Sequence, residues 1–288
     1  MQKRQSRELW SLLTAAIVAT AVLCTVFEAL YWAPDQFVIS RHSIQLKNWH
    51  TEHDGLKLAV ISDIHLKNNA ADIARLKTIV QAINAENPDL ILLLGDFLGD
   101  VDDWQKRNAS APQISAILKV LKAKHGVFAV LGNHDWWLDG EGIRDALKSV
   151  GIQVMENELI TVLIEKKPLN IIGLPDAGTR KDKMDFSKLP TTEIPSIVMA
   201  HDPDSFNDPA LPYKHELTLC GHTHGGQVKL PLFGAVTAAS DLLSPYTEGW
   251  YFQGEKKLFV TRGIGTSLVK IRYKCSPEVV ILTVSKKE

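Results

Sequence analysis

The chain has 288 residues, 45% of them hydrophobic and 23% charged, which is enough apolar side chain to fill the core of a globular domain. Lysine plus arginine number 32 against 33 aspartate plus glutamate, so there is no basic excess for a polyanion and no nucleic-acid partner is expected. Cys24, Cys220 and Cys275 have no CxxC spacing and read as apolar packing rather than as a zinc finger or a disulfide framework.

Leu9 to Phe27 is an uncharged run of 19 residues. As a helix it spans about 28 Å, close to the roughly 30 Å hydrocarbon core of a bilayer. Trp10 stands at one end and Tyr31 and Trp32 at the other, where amphipathic rings favour the membrane interface. A buried core helix of this length would carry a polar face. A cleaved signal has a shorter apolar region, and Ala19-Thr20-Ala21 lies inside the run rather than after it. The expectation is an uncleaved single-pass anchor in the inner (cell) membrane, with the lipid bilayer as its partner. Lys3, Arg4 and Arg7 precede the span, while only Arg41 and Lys47 closely follow it. That balance favours a cytoplasmic N-terminal stub and an extracytoplasmic domain. The expected division is a stub and anchor (1–33), a polar linker (34–55) and a globular domain (56–288).

Within the linker, alternation around Phe37–Leu46 is compatible with an edge strand. Beyond it, strand and helix patterns alternate. Leu58–Ile61 is an apolar run fit for a buried strand. Ala70 to Asn87 carries Ile73, Leu76, Ile79, Val80 and Ile83 at helical spacing and is stopped by Pro88. Leu90–Leu94 is a second strand, Ile114 to Leu121 a second helix, Val127–Leu131 a third strand, and Gly142–Val150 a short helix. The remainder is strand-rich: Leu159–Ile164, Leu169–Leu174, Ile197–Ala200, Leu217–Cys220, Leu258–Thr261 and Val279–Val284. Fully apolar strands need cover on both faces, so the fold class is a layered α/β domain. Periodicity leaves open whether it holds one sheet or two.

Polar motifs recur directly after the apolar strands: Asp63-Ile64-His65, Gly95-Asp96, Gly132-Asn133-His134-Asp135, His201-Asp202-Pro203 and Gly221-His222-Thr223-His224-Gly225-Gly226-Gln227. In an α/β domain, the crevice beyond the carboxyl ends of the strands is the usual ligand site. Taken singly, Gly-Asp and Gly-Asn-His read as turns. His222 and His224 are a stronger signal, because residues i and i+2 of an extended segment project to one side. Their conjunction carries the case, since five of the ten histidines fall in these motifs. His42, His50, His53, His125 and His215 lack such settings and read as surface or packing residues. A donor set of carboxylate, imidazole and one amide, without thiolate, suits divalent manganese, iron or zinc. Seven candidate ligands are too many for one tetrahedral site and suit two ions, with Asp96 as the natural bridge.

This five-part pattern resembles the calcineurin-like metallophosphoesterases over essentially everything from Leu56 onward. The resemblance implies a four-layer αββα sandwich, which would mean two sheets, and two divalent metal ions as cofactors, with manganese the leading candidate. It implies Asp63, His65 and His224 on one metal, Asn133, His201 and His222 on the other, and Asp96 between them. It places His134 at the substrate, where it would protonate or stabilise the leaving oxygen. His201-x-Pro-Asp, the Gly-His-Thr-His-Gly-Gly-Gln run and Thr261-Arg262-Gly263-x-Gly265 resemble a bacterial membrane-associated subgroup. That subgroup includes envelope phosphodiesterases and UDP-diacylglucosamine pyrophosphatases of lipid A synthesis. One departure stands out: where many relatives carry a second Asp three residues after the bridging one, this chain has Gly99, followed by Asp100.

The expected activity is two-metal hydrolysis of a phosphodiester or pyrophosphate on a lipid-linked or cell-envelope substrate. The alternatives are a phosphomonoesterase, which would share the metal site, and a metal-free scaffold, which usually lacks some of the ligands. Arg262 is a candidate phosphate contact or, in the plainer reading, a strand-end arginine paired to an acid. Trp136 and Trp137 either wall the substrate cleft or pack over the helix that follows.

Overall fold

Strands apolar on both faces are covered by stacking two six-stranded sheets between outer layers. The computed structural model describes residues 2–67, 69–99, 104–185, 193–207, 217–236 and 245–288. The first sheet runs in the order Val38–Leu46 (β1), Glu278–Lys286 (β14), Leu56–Ile61 (β2), Leu90–Leu93 (β3), Val127–Ala129 (β4) and Gln153–Val154 (β5). The second runs Gly249–Gln253 (β12), Lys256–Val260 (β13), Leu217–Cys220 (β9), Ser196–Met199 (β8), Lys167–Gly173 (β7) and Glu158–Ile164 (β6). A separate two-stranded hairpin joins Val228–Leu230 (β10) to Gly234–Val236 (β11). The alternating stretch of the 34–55 segment is indeed an edge strand, with β1 pairing in parallel with β14 from Val38 to Leu46.

Side-chain alternation explains the layering. Along β2, Ala59 and Ile61 face the helices with Ile79, Ile83, Ile114 and Ile143. Leu58 and Val60 face the other sheet with Phe128, Leu169, Ile171, Leu217 and Leu219. Period-two projection thus splits one apolar run between two cores. A third cluster, including Ile172, Val198, Cys220 and Val260, lies on the far side of the second sheet. Among the described residues, short 3-10 turns such as Pro203–Asn207 cover that face, with Phe206 buried against it.

The helices cover the first sheet. Ala70–Ala85 (α2) starts at Asn69, whose side chain accepts the Asp72 N–H at 2.9 Å. It ends just before Asn87, which adopts φ 50° ahead of Pro88. Trp104–Leu118 (α3) stops short of Leu121. Asn133–Ser149 (α4) begins nine residues before the Gly142 start expected from sequence, inside the third polar motif, with Gly132 as its cap. It bends at Asp139, whose φ of −164° and ψ of 69° are not helical.

The N-terminal helix, Gln2–Phe27 (α1), continues through a π-helical turn (Glu28–Trp32) and a 3-10 turn (Ala33–Asp35). Its span from Arg7 to Asp35 is long and apolar enough to cross a membrane and is unburied in the fold, which suggests membrane association. Its far end does not hang free. Arg272 N donates to the Ala29 carbonyl at 2.9 Å, and Lys270 Nζ pairs with Asp35 at 2.8 Å.

Candidate metal centre

Parallel strands in both sheets end at the same rim. β2 delivers Asp63 and His65, β3 delivers Asp96, and β4 leads into Asn133 and His134 at the start of α4. From the second sheet, β8 delivers His201, and β9 delivers His222 and His224. The two sheets are tied together at the site: His222 N donates to both Asp63 carboxylate oxygens at 3.1 Å, and His201 Nδ1 lies 2.7 Å from the Leu94 carbonyl. With Nδ1 donating there, Nε2 is the ring atom turned toward the site, 3.3 Å from Asp96 Oδ2.

All seven sequence-predicted ligands converge, and they do so in two groups. In one, His65 Nε2 lies 3.1 Å from His224 Nε2, and His224 Nε2 lies 3.6 Å from Asp63 Oδ1. In the other, Asn133 Oδ1 is 3.1 Å from both His201 Nε2 and His222 Nδ1, which are themselves 3.1 Å apart. A single oxygen, Asp96 Oδ2, stands 3.4 Å from His65 Nε2 and 3.3 Å from His201 Nε2, touching both groups. Such convergence of lone pairs fits divalent cations: each close nitrogen pair shares at most one proton, and a cation would satisfy both partners.

The electrostatics agree. Burial holds the His65 pKa down at about 3 and that of His224 well below the ordinary imidazole value, so both present neutral rings. Burial also works against charge on His201, but the Asp96 carboxylate outweighs it and raises the His201 pKa well above the usual range. In turn, His201 overcomes the effect of burial on Asp96 and keeps that carboxyl ionised.

The backbone is bent to make this possible. Asp63, His65, Asp96, His222 and His224 all have positive φ, between 46° and 72°. Left-handed non-glycine residues cost about 1–3 kcal/mol each and persist where surrounding structure over-determines them. Two glycines admit the close approach: a Cβ on Gly132 would collide with the Asp96 carboxylate, and one on Gly221 with Ser62 and Asp63. The Asp135 carboxylate gathers the N–H groups of Asp96, Phe97, Leu98 and Gly132 at 2.8–3.3 Å, locking the second and third motifs together.

His134 stands at the edge of the first donor group. Its N–H donates to Asp96 Oδ1 at 2.9 Å, and its Nε2 lies 3.5 Å from Ser267 Oγ. The ring stands edge-on to His65 at 4.7 Å and to Trp137 at 4.9 Å between centroids. It also falls within a group of possible metal donors with His65 and Asp96, all within 4.8 Å of one another. Trp137 is 63% exposed beside it and walls the site. Trp136 instead packs against the helix core, stacked under Arg180 at 4.0 Å and Arg144 at 5.1 Å.

The structure does not bring Arg262 into this group. Its guanidinium bonds Glu278 at 2.5 Å and lies 3.8 Å from Glu248, the acid-paired arrangement of the plainer reading. Asp100 and His215 lie outside the described residues. His53 is buried, with its ring against Trp49, a packing role as expected.

Two residues are invisible to sequence reasoning. Arg272 is fully buried behind the site, donating to the carbonyls of His224 (2.8 Å), Arg262 (2.9 Å) and Gly265 (2.5 Å). Ser267 joins the rim through the Gln227 side chain, which bonds its N–H at 2.9 Å and its carbonyl at 3.1 Å. Neither lies in a recurring motif. The only hint is the glycine-rich run that precedes them.

Comparison with known proteins agrees with this geometry. Residues 56–226 match the family described as calcineurin-like phosphoesterase. The chain is 32% identical to phosphodiesterase YaeI of Escherichia coli over 276 residues, covering 93% of this chain and 95% of that protein. It is 31% identical to the uncharacterized metallophosphoesterase YkuE of Bacillus subtilis, covering 88% of each. It is 26% identical to UDP-2,3-diacylglucosamine pyrophosphatase LpxG of Chlamydia muridarum, covering 93% of this chain and 94% of that one. A match of this extent, falling on a fold whose strand ends converge on paired metal-donor groups, means that the chain belongs to the calcineurin-like metallophosphoesterase family and is a metal-dependent hydrolase.

Proposed function

We propose that this chain hydrolyses a phosphodiester or pyrophosphate on a lipid-linked or cell-envelope substrate, using two divalent ions, preferably manganese. The observation that carries the two-ion reading is Asp96 Oδ2, within 3.4 Å of ring nitrogens from both donor groups. Asp63, His65 and His224 would hold one ion, Asn133, His201 and His222 the other, and Asp96 would bridge them. When bound, such a pair supplies Lewis acidity toward phosphoryl oxygens and a water acidified to near neutral pKa.

The chain's own residues do the rest. The rigid rim, fixed by Asp135 and by the His222–Asp63 bonds, holds the donors without reorganisation during reaction. His134, with its backbone fixed on Asp96, presents its ring to the leaving oxygen and supplies the proton or hydrogen bond that departure requires. Trp137 shields one side of that proton transfer from bulk water. Arg262 takes no part in this scheme.

The anchor supports a bilayer substrate, because tethering raises the local concentration of lipid headgroups. Its flanking lysines and arginines favour an extracytoplasmic domain, with residues 1–33 as stub and anchor, 34–55 as the connection carrying the edge strand, and 56–288 as the catalytic domain. A second reading, UDP-diacylglucosamine pyrophosphatase, draws on the similarity to LpxG along 93% of the chain and requires a cytoplasmic domain. Hydrolysis of bis-p-nitrophenyl phosphate, p-nitrophenyl phosphate and UDP-diacylglucosamine side by side with manganese separates the readings. Preference for the monoester would overturn both.

A further inference from the structure

Two apolar loops stand exposed beside the metal centre, and nothing in the reaction uses them. The tip of the β10–β11 hairpin carries Leu230 at 43% exposure, Leu232 at 102% and Phe233 at 84%. The second loop carries Leu268 at 68% and Val269 at 58%, directly after Ser267, which reaches His134. Both Leu232 and Leu268 sit at positive φ, 71° and 57°, a conformation that branched apolar residues rarely adopt. Exposed leucines held in that way are not relaxed surface residues.

The loops are mechanically continuous with the end of the apolar helix. Gln227 bonds Ser267 through both its amide atoms, and Lys229 N donates to the Tyr273 carbonyl at 2.9 Å. One step further along, Arg272 N donates to Ala29, and Lys270 pairs with Asp35. A cleft beside the site is lined by Pro34 and Asp35 of the helix end together with His65, Lys67 and Lys270. The helix end, both apolar loops and the mouth of the metal centre therefore belong to one face. Phe27, Tyr31 and Trp32 are exposed on the same helix end, and Lys270 and Lys274 flank the second loop. Apolar tips, interfacial aromatics and lysines together are the composition that seats a surface in a phospholipid interface.

We propose that this face is a second membrane contact. Leu230, Leu232, Phe233, Leu268 and Val269 dip into the bilayer that holds α1, and the catalytic cleft opens against the headgroups. The proposal rests on the reading of α1 as a membrane span. It explains why the domain is bonded to the helix end rather than hung on a free tether, and how a bilayer headgroup reaches a buried site.

The test uses the full chain in phosphatidylcholine–phosphatidylglycerol vesicles containing a phospholipid spin-labelled near its glycerol backbone. A bimane fluorophore is placed on Phe233→Cys or on Val120→Cys, each with Cys24→Ser, and separately on the native Cys24 of α1. Val120 is 55% exposed near the far end of α2, away from the metal rim. The expected result is loss of fluorescence at 233 and 24 and none at 120. Quenching at 24 without quenching at 233 overturns the second contact while leaving the anchor intact. Absence of quenching at 24 overturns the anchor and this proposal together. A companion variant, Leu232→Asp with Phe233→Asp, should keep its rate on bis-p-nitrophenyl phosphate in detergent and lose the spin-label contact, read from a label on Leu268→Cys. Unchanged quenching at 268 in that variant would contradict a joint docking face.

Discussion

His134 N–H donates to Asp96 Oδ1 at 2.9 Å, so the candidate proton donor is fixed through its backbone to the carboxylate that touches both donor groups. On the proposed reading, its ring acts on substrate. His134→Ala should therefore keep its metal content near wild type and slow turnover by about 10²–10⁴-fold, the usual worth of general acid help. The slowing should shrink for diesters with very acidic leaving groups, which depart without a proton. Elemental analysis that finds metal lost from His134→Ala would instead place the ring on an ion, as its proximity to His65 allows.

Arg272 offers a separate prediction about support. The Arg262 and Gly265 carbonyls accept from one buried guanidinium, and the His224 carbonyl accepts from it as well as from Gln227 N and Cys275 Sγ. Each buried acceptor left unpaired costs about 1–3 kcal/mol. Arg272→Met should lower the melting temperature and weaken metal retention, because the His224 segment loses its backing. Arg272→Lys should rescue poorly, since one ammonium cannot match a planar fork. A variant of either kind with wild-type melting temperature and metal content would show that the arginine is incidental.

For Arg262 the expected loss is stability rather than substrate affinity. Glu278 is 3% exposed, and removing its partner leaves a buried carboxylate that typically destabilises by about 3–5 kcal/mol. Burial pushes the Glu278 pKa up, but Arg262 outweighs it and holds the carboxyl below its ordinary value of 4.5. A carboxylate with a depressed folded pKa binds its proton more readily when unfolded. Its contribution is thus complete above about pH 4.5 and lost as pH falls through the lower folded value. Denaturation midpoints across the acid range should show a shallower pH slope in Arg262→Met than in wild type. A raised KM with unchanged stability would return Arg262 to the substrate.

Much of this site was legible because metal chemistry uses few residue types and strand ends concentrate them. Asp63, His65, Asp96, Asn133, His201, His222 and His224 were all recoverable from short motifs after apolar runs, and the structure brings every one to the same rim. The start of α4 was not, because Gly132-Asn133-His134-Asp135 reads locally as a turn, and only the capping geometry reveals a helix. β12 escaped for a related reason: Gly249–Gln253 is half-exposed and too short for a period to register. Arg272 and Ser267 act through tertiary contacts some 40 residues from Gln227 and His224, a distance at which no local pattern carries information.

The membrane expectation is tested by fractionation and by topology. The full chain should remain in the pellet after alkaline carbonate, because apolar burial rather than charge holds a spanning helix. The C-terminal residues after β14 are exposed, so a reporter can follow Glu288 without disturbing the sheet. Alkaline phosphatase activity there supports an extracytoplasmic domain. Fluorescence of a cytosol-only reporter would reverse that orientation and favour the pyrophosphatase reading.

The most direct test of the two-ion account measures bound metal and turnover together in wild type and Asp96→Asn. The account predicts two divalent ions per wild-type chain, loss of activity on chelation with recovery on adding manganese, and reduced metal with turnover lower by several orders of magnitude in Asp96→Asn. Full hydrolysis by the chelated protein, or an Asp96→Asn variant that keeps both its metal and its rate, would contradict it.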